Sequence, residues 1–124
     1  SLMPTQNKRN QFVEYVTEDL LSPLERVTAR AMFGGFGIYK DGIIFGIIVD
    51  DELYFKVDET NQVEYEAMES EPFTYSAKGG KKMTMSYWKI PSDVLEDAHE
   101  LMRLARKSYA INIKLAEAKR KKKT

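Results

Sequence analysis

The chain has 124 residues, 43% of them hydrophobic and 31% charged, with 19 basic and 19 acidic side chains, one histidine and no cysteine. That length is enough to close one hydrophobic core, and the lack of cysteine excludes disulfide staples, thiol nucleophiles, iron–sulfur clusters and zinc ribbons, which suits a reducing compartment. A mean hydropathy of -0.46 with only short apolar runs excludes an integral membrane protein.

The zero net charge conceals an asymmetry. Residues 1–113 carry 13 basic and 18 acidic side chains, a balance of -5, whereas the last eleven residues carry six basic and one acidic, a balance of +5. Affinity for phosphate follows basic density, so a nucleic-acid role is confined to this tail and to one lysine-rich turn.

In chain order, Ser1-Leu2 ahead of Met3 reads as an expression scar, residues 3–113 as the folded domain and residues 114–124 as a basic helix end or tail. Pro4 to Asn10 is polar and has no apolar signal region, so the expected location is cytoplasmic. From about Thr5 to Leu21, Phe12, Val13, Val16 and Leu20 recur at helical spacing until Ser22-Pro23 stops the helix. Four β-rich pieces follow: Val27 to Phe33, Phe36 to Lys40, Gly42 to Val49 and Glu52 to Val57. Asp41-Gly42 is a strong hairpin signal and Asp50-Asp51 works similarly, which predicts an antiparallel meander. Gly34-Gly35 marks a tight turn or bulge where a Cβ would clash.

Ile43 to Val49 is apolar on both alternating faces and is expected to be a central strand covered on both sides. Asp58 or Thr60 caps a short helix to about Met68, which Glu71-Pro72 breaks. Phe73 to Ala77 and Lys81 to Ile90 form a second hairpin around Lys78-Gly79-Gly80. Pro91-Ser92 opens the last helical region, and Asp97 and Glu100 match a capping box that starts the main helix near Ala98. Helix, four strands, helix, two strands, helix is an α+β order. It predicts two layers, an antiparallel sheet of about five to six strands with helices packed mainly on one face.

The chemistry on offer is sparse. His99 falls in the first turn of a surface helix, away from the serine and acid of a triad, and reads as a solvated or capping residue. Zinc would need more histidines, and Asp50-Asp51-Glu52 lacks the spaced oxygens and glycine of a calcium loop. Gly34-Gly35-Phe36-Gly37 leads into a strand rather than a helix, so it is no dinucleotide loop. No catalytic, metal or cofactor-binding residue is assigned.

Candidate anion or nucleic-acid contacts are Lys78, Lys81 and Lys82 at the glycine turn and Lys119, Arg120, Lys121, Lys122 and Lys123 in the tail. Their plainer reading is a solvated hairpin tip and a helix end whose charge suits the dipole. The fourteen aromatic residues, Phe33, Tyr39, Tyr54, Phe73 and Tyr75 among them, are read with Met83 and Met85 as core packing. Arg30, a charge within the first strand, either pairs with a buried acid or marks a functional surface.

The run Arg30-Ala31-Met32-Phe33-Gly34-Gly35-Phe36-Gly37-Ile38-Tyr39 resembles the N-terminal domain of the TfoX/Sxy family, bacterial regulators of natural competence. The likeness continues through Gly42 to Gly46, Leu53 to Asp58, Pro72 to Tyr75, Met85 to Pro91 and Val94 to Asp97, and spans roughly Phe12 to Ala110. It implies a secretion-chaperone-like α+β fold and a non-enzymatic part in transcription control. Partners would lie in the transcription machinery, with members acting beside the cyclic-AMP receptor protein. No catalytic residue carries over. Two-domain members continue into a C-terminal helical domain, so a sequence that stops at Thr124 reads as the first domain standing alone.

Three functions are therefore weighed: a regulatory module acting through protein contacts, a non-specific nucleic-acid binder through the tail and lysine turn, and a small-ligand domain with a pocket between sheet and helices. The aromatic sheet leaves a homodimer open.

Overall fold

The meander forms as the turn chemistry dictates. Strands β1 (Val27–Met32), β2 (Gly35–Lys40), β3 (Ile43–Val49) and β4 (Glu52–Lys56) pair in succession, each antiparallel to the last. Both two-residue hairpin turns use left-handed backbone, with φ of 50° and 80° at Asp41 and Gly42 and 51° and 59° at Asp50 and Asp51. Glycine and aspartate tolerate this region, and its twist matches that of the flanking strands. These elements come from a computed structural model that describes residues 11–32 and 34–123; the expression scar, the start of the predicted first helix and Phe33 lie outside the described residues.

The second hairpin departs from a simple meander. β5 (Pro72–Ser76) takes the edge, and β6 (Lys82–Lys89) inserts beside β4, for a strand order of β1-β2-β3-β4-β6-β5. Tyr54, Phe55 and Lys56 face Lys89, Trp88 and Tyr87 across the new pairing.

Among the described residues, four α- or π-type helices contribute side chains to the core on one side of this sheet. In α1 (residues 11–20) the segment Tyr15–Leu20 is π-helical, and the Leu21 N–H donates to the Val16 carbonyl at 2.9 Å. The wider turn brings the fully buried Leu21 onto the face of Val13 and Val16. The short α2 (Gln62–Ala67) is not capped by Asp58 or Thr60 as expected. Asp58 Oδ1 instead accepts the Thr60 N–H at 2.8 Å, while the buried Asn61 accepts the Asp58 N–H at 2.8 Å and donates to the Lys56 carbonyl at 3.2 Å.

A one-turn helix α3 (Ser92–Leu95), absent from the predicted order, precedes α4 (Ala98–Lys123), which is about 39 Å long at 1.5 Å per residue. Asp97 caps α4 through the Glu100 N–H at 3.2 Å. The reciprocal half of the box is missing, because the Glu100 carboxylate binds Arg103 instead.

The core lies between the sheet and these helices. Ile38, Phe45, Ile48, Leu53 and Phe55 meet Val16, Leu21, Tyr65, Leu101, Leu104 and Ala105 there. Phe45 sits 5.8 Å from Phe55 and 6.3 Å from Tyr109, edge-on to the latter. A bulge makes this possible: Ile38 faces Gly46 and Tyr39 faces Ile44, so Phe45 is the extra residue and joins Ile48 on the core side. Ile47 is buried on the opposite face, as expected of a central strand, but what covers it is side chains of neighbouring strands rather than a second layer of helices.

Candidate functional site

The alternation that sends Ile38, Phe55 and Trp88 inward sends Arg30, Met32, Tyr39, Ile47, Tyr54, Met85 and Tyr87 to the other face. Among the described residues α4 meets this face only at the basic end of the sheet, where Asn112 reaches the Tyr87 hydroxyl. Tyr54, Phe73 and Tyr75 form a continuous row on it, with centroids 5.2 Å and then 6.2 Å apart. Met32 at one edge strand and Phe73 at the other line a single hollow of about 80 Å³ with Ile47 and Met85, so the sheet curls toward this side.

This corrects the reading of Met83, Met85 and several aromatic residues as core. Tyr75 is 44% and Met83 37% exposed, and Met85 is half-buried on the helix-free face. Alternation tells which residues share a face; it does not tell which face is covered. Arg30 also lies here, exposed, with its guanidinium 5.0 Å from the centre of the Tyr39 ring. Its partner is that ring, a cation–π contact, in place of the buried acid that had been one alternative.

Charge divides the molecule along the strands. One end of the sheet carries Asp50, Asp51, Glu52 and Glu71, and the Tyr54 phenol is raised above its ordinary pKa by burial and by three of these carboxylates, Glu52, Asp50 and Glu71. At the opposite end lie Lys40, Lys56, the start of β6 and the C-terminal half of α4. Because Tyr87 pairs with Lys56, the five residues of β6 before Tyr87 extend about 16 Å further, carrying Lys82, Lys81 and Lys78 outward. Residues 114–123 continue α4 past the same end with every side chain exposed. Strand direction thus sends both sets of candidate lysines, Lys78, Lys81 and Lys82 and Lys119 to Lys123, beyond one end of the fold, on separate elements.

The inward stripe of α4 changes character as it reaches this end. Leu101, Leu104 and Ala105 give way to Ser108 and Asn112, followed by Lys119. Ser108 is fully buried and its Oγ donates to the Lys56 carbonyl at 2.7 Å. Asn112 Nδ2 donates to the Ile44 carbonyl at 2.8 Å and to the Tyr87 hydroxyl at 3.3 Å. On the flank of α4, Glu64 of α2 pairs with Lys107 and, at 2.8 Å, with Arg103. Burial raises the Glu64 carboxyl, and these two cations outweigh it, leaving its pKa below the ordinary value.

The sequence pattern of the TfoX N-terminal domain matches residues 19–111, three-quarters of the chain. The chain belongs to the TfoX N-terminal domain family. It is also similar to protein Sxy of Escherichia coli (strain K12), with 23% identity over 103 residues, which are 83% of this chain and 48% of that protein. The chain thus spans about half the length of that curated relative.

Within this TfoX N-terminal domain, Arg30, the aromatic row, Ser108 and the Lys78–Lys82 turn fall inside the matched span, whereas Asn112 and the basic end of α4 fall outside it. The sequence reading passed over Lys56, Asn61, Ser108 and Asn112. For Ser108 and Asn112 the signal was a polar side chain where the helical period of α4 demands an apolar one; Lys56, on the outward alternation of β4, and Asn61, in a turn, carried none. Among the described residues no helix is long and apolar enough to cross a membrane.

Proposed function

We propose that this domain is a non-enzymatic regulatory module of the TfoX/Sxy type that works by docking a protein on its helix-free sheet face. The observation that carries this reading is the face itself: Met32, Phe73, Tyr75, Met83 and Met85 together on one curled surface, half-buried or exposed, where the other face is packed beneath helices. Aromatic and methionine side chains are the residue types that protein interfaces concentrate, and methionine adapts to a partner's shape. Family membership directs the search to the transcription machinery.

The test is site-specific photo-crosslinking in a bacterial host. A probe at Tyr75 or Met83 should trap a component of that machinery, and the same probe at Ser92, exposed on the helix side, should not. Tyr75→Glu should abolish the product. Equal or absent products from all three positions would reject the reading, and a product containing only this chain would replace it with a homodimer.

A second reading is favoured by one observation, the projection of both lysine clusters past the same end of the sheet. Such an end would hold nucleic acid by its phosphates alone, with affinity falling steeply as salt rises. Binding to a DNA duplex that is flat between low and moderate salt would dispose of it.

A further inference from the structure

A cavity of about 400 Å³ lies between the second half of α4 and the basic end of the sheet, and Tyr39, Ile44, Lys56, Tyr87, Asn112 and Lys119 line it. The volume is within the range of small-molecule sites, roughly 300–1,000 Å³. Its polar groups are held in place from behind. The Lys56 backbone is bound twice, by Ser108 at 2.7 Å and Asn61 at 3.2 Å, both buried residues. The Lys56 ammonium lies 5.5 Å from the centre of the Tyr87 ring and donates to Ser86 Oγ at 2.6 Å. Asn112, anchored on the Ile44 carbonyl, fixes the Tyr87 hydroxyl.

What this cavity lacks is negative charge. Among the described residues neither Lys56 nor Lys119 forms an ion pair, and Asp58, the carboxylate that acts on Lys56, is committed to the Thr60 amide and hydroxyl. Burial lowers the pKa of Lys56, Asp58 offsets part of this, and Lys119 lowers it further. Two ammonium groups facing a half-enclosed cavity without a counter-charge repel each other until an anion joins them. The remaining lining, two phenol rings with Ile44 and Leu115, offers flat and apolar surface.

We propose that this cavity is a binding site for a small organic anion, a phosphate or carboxylate on a planar apolar body, with Lys56 and Lys119 holding the anionic group and Tyr39, Ile44 and Tyr87 the body. The site lies at the basic end of the sheet face that carries Tyr39 and Tyr87, away from the Tyr54–Phe73–Tyr75 row, and does not depend on docking there.

The experiment is a titration of the full chain with phenyl phosphate, benzoate and inorganic phosphate, followed by amide NMR shifts. Phenyl phosphate or benzoate should give saturable shifts centred on Lys56, Tyr87 and Asn112; the tighter of the two identifies the anionic group. Lys56→Met should weaken binding about tenfold, the loss of one charge-assisted hydrogen bond. Lys119→Met, at an exposed position that folding does not need, should also weaken it. Replacing Arg120, Lys121, Lys122 and Lys123 by glutamine should leave it within about twofold, since these lie beyond the lining.

Shifts that never saturate, or that centre on residues 78–82 or 120–123, would overturn the site. So would equal affinity in the Lys56→Met and Lys119→Met variants. Inorganic phosphate binding as tightly as phenyl phosphate would overturn the part assigned to the rings.

Discussion

The Ser108 hydroxyl donates to the Lys56 carbonyl at 2.7 Å, so the long C-terminal helix is fastened by a polar bond to the last residue of β4. Asn61 donates to the same carbonyl from the N-terminus of α2. One backbone oxygen therefore joins three elements, and the side chain it carries faces the cavity beside α4.

Removing these donors should be costly in a graded way. Ser108→Ala should lower stability by about 1 kcal/mol, and Asn61→Ala by about 2 kcal/mol because it also strands the Asp58 N–H. The two share an acceptor, so the double variant should depart from additivity, as a denaturant-based double-mutant cycle would measure. Strict additivity would mean that the carbonyl is served from elsewhere.

Glu64 predicts a pH dependence. Its folded pKa is held below the unfolded value by Lys107 and Arg103, so its contribution is present above the unfolded pKa, about 4.3, and is lost as pH falls through the folded value. Both cationic partners are about two-fifths exposed, which limits the effect to less than about 1 kcal/mol. Urea midpoints at pH 6 and pH 3.5 should differ more in the parent than in Glu64→Gln. Equal differences would place the pH dependence on other carboxylates, Glu100 first, whose pKa is lowered by its bond to the same Arg103.

Gly35→Ala should be among the most damaging single changes. A Cβ at Gly35 would collide with the Ile48 backbone oxygen of the neighbouring strand, which has no side-chain freedom with which to yield. A loss of about 2–3 kcal/mol follows, read as a lower thermal midpoint. At Gly37 the added Cβ would meet the Met32 sulfur and the Tyr39 ring, flexible ends that can move. Gly37→Ala should cost less and instead disturb the Arg30–Tyr39 contact.

These positions show where the sequence is readable. Asp41-Gly42 and Asp50-Asp51 announce their turns because few residues accept left-handed backbone, so composition and geometry coincide. The placement of β6 between β4 and β5 has no such local mark. It depends on which edge a returning strand finds, a long-range choice made by Phe55 meeting Trp88. Met83 and Met85 misled for the same reason, since an apolar side chain looks alike whether it meets a helix or open solvent. Ser108 and Asn112 were hidden in plain view: their meaning lies in the Lys56 and Ile44 carbonyls, which are backbone atoms that no residue letter encodes.

The basic end of α4 yields the last prediction. Residues 114–123 are all exposed, and Leu115, at 47% exposure, is the one large apolar side chain there. Ending the chain after Ala118 should therefore leave the unfolding midpoint nearly unchanged, within about 0.5 kcal/mol. The same truncation removes Lys119 to Lys123, five cations. If these hold DNA, the slope of log affinity against log salt should shrink by about 4.5, at roughly 0.9 per phosphate contact. Lys78, Lys81 and Lys82 project past the same end at the turn between β5 and β6, so whatever retention survives at low salt should vanish when these three are also replaced. Retention with an unchanged slope after truncation would show that the helix end is solvated surface whose charge serves only the helix dipole.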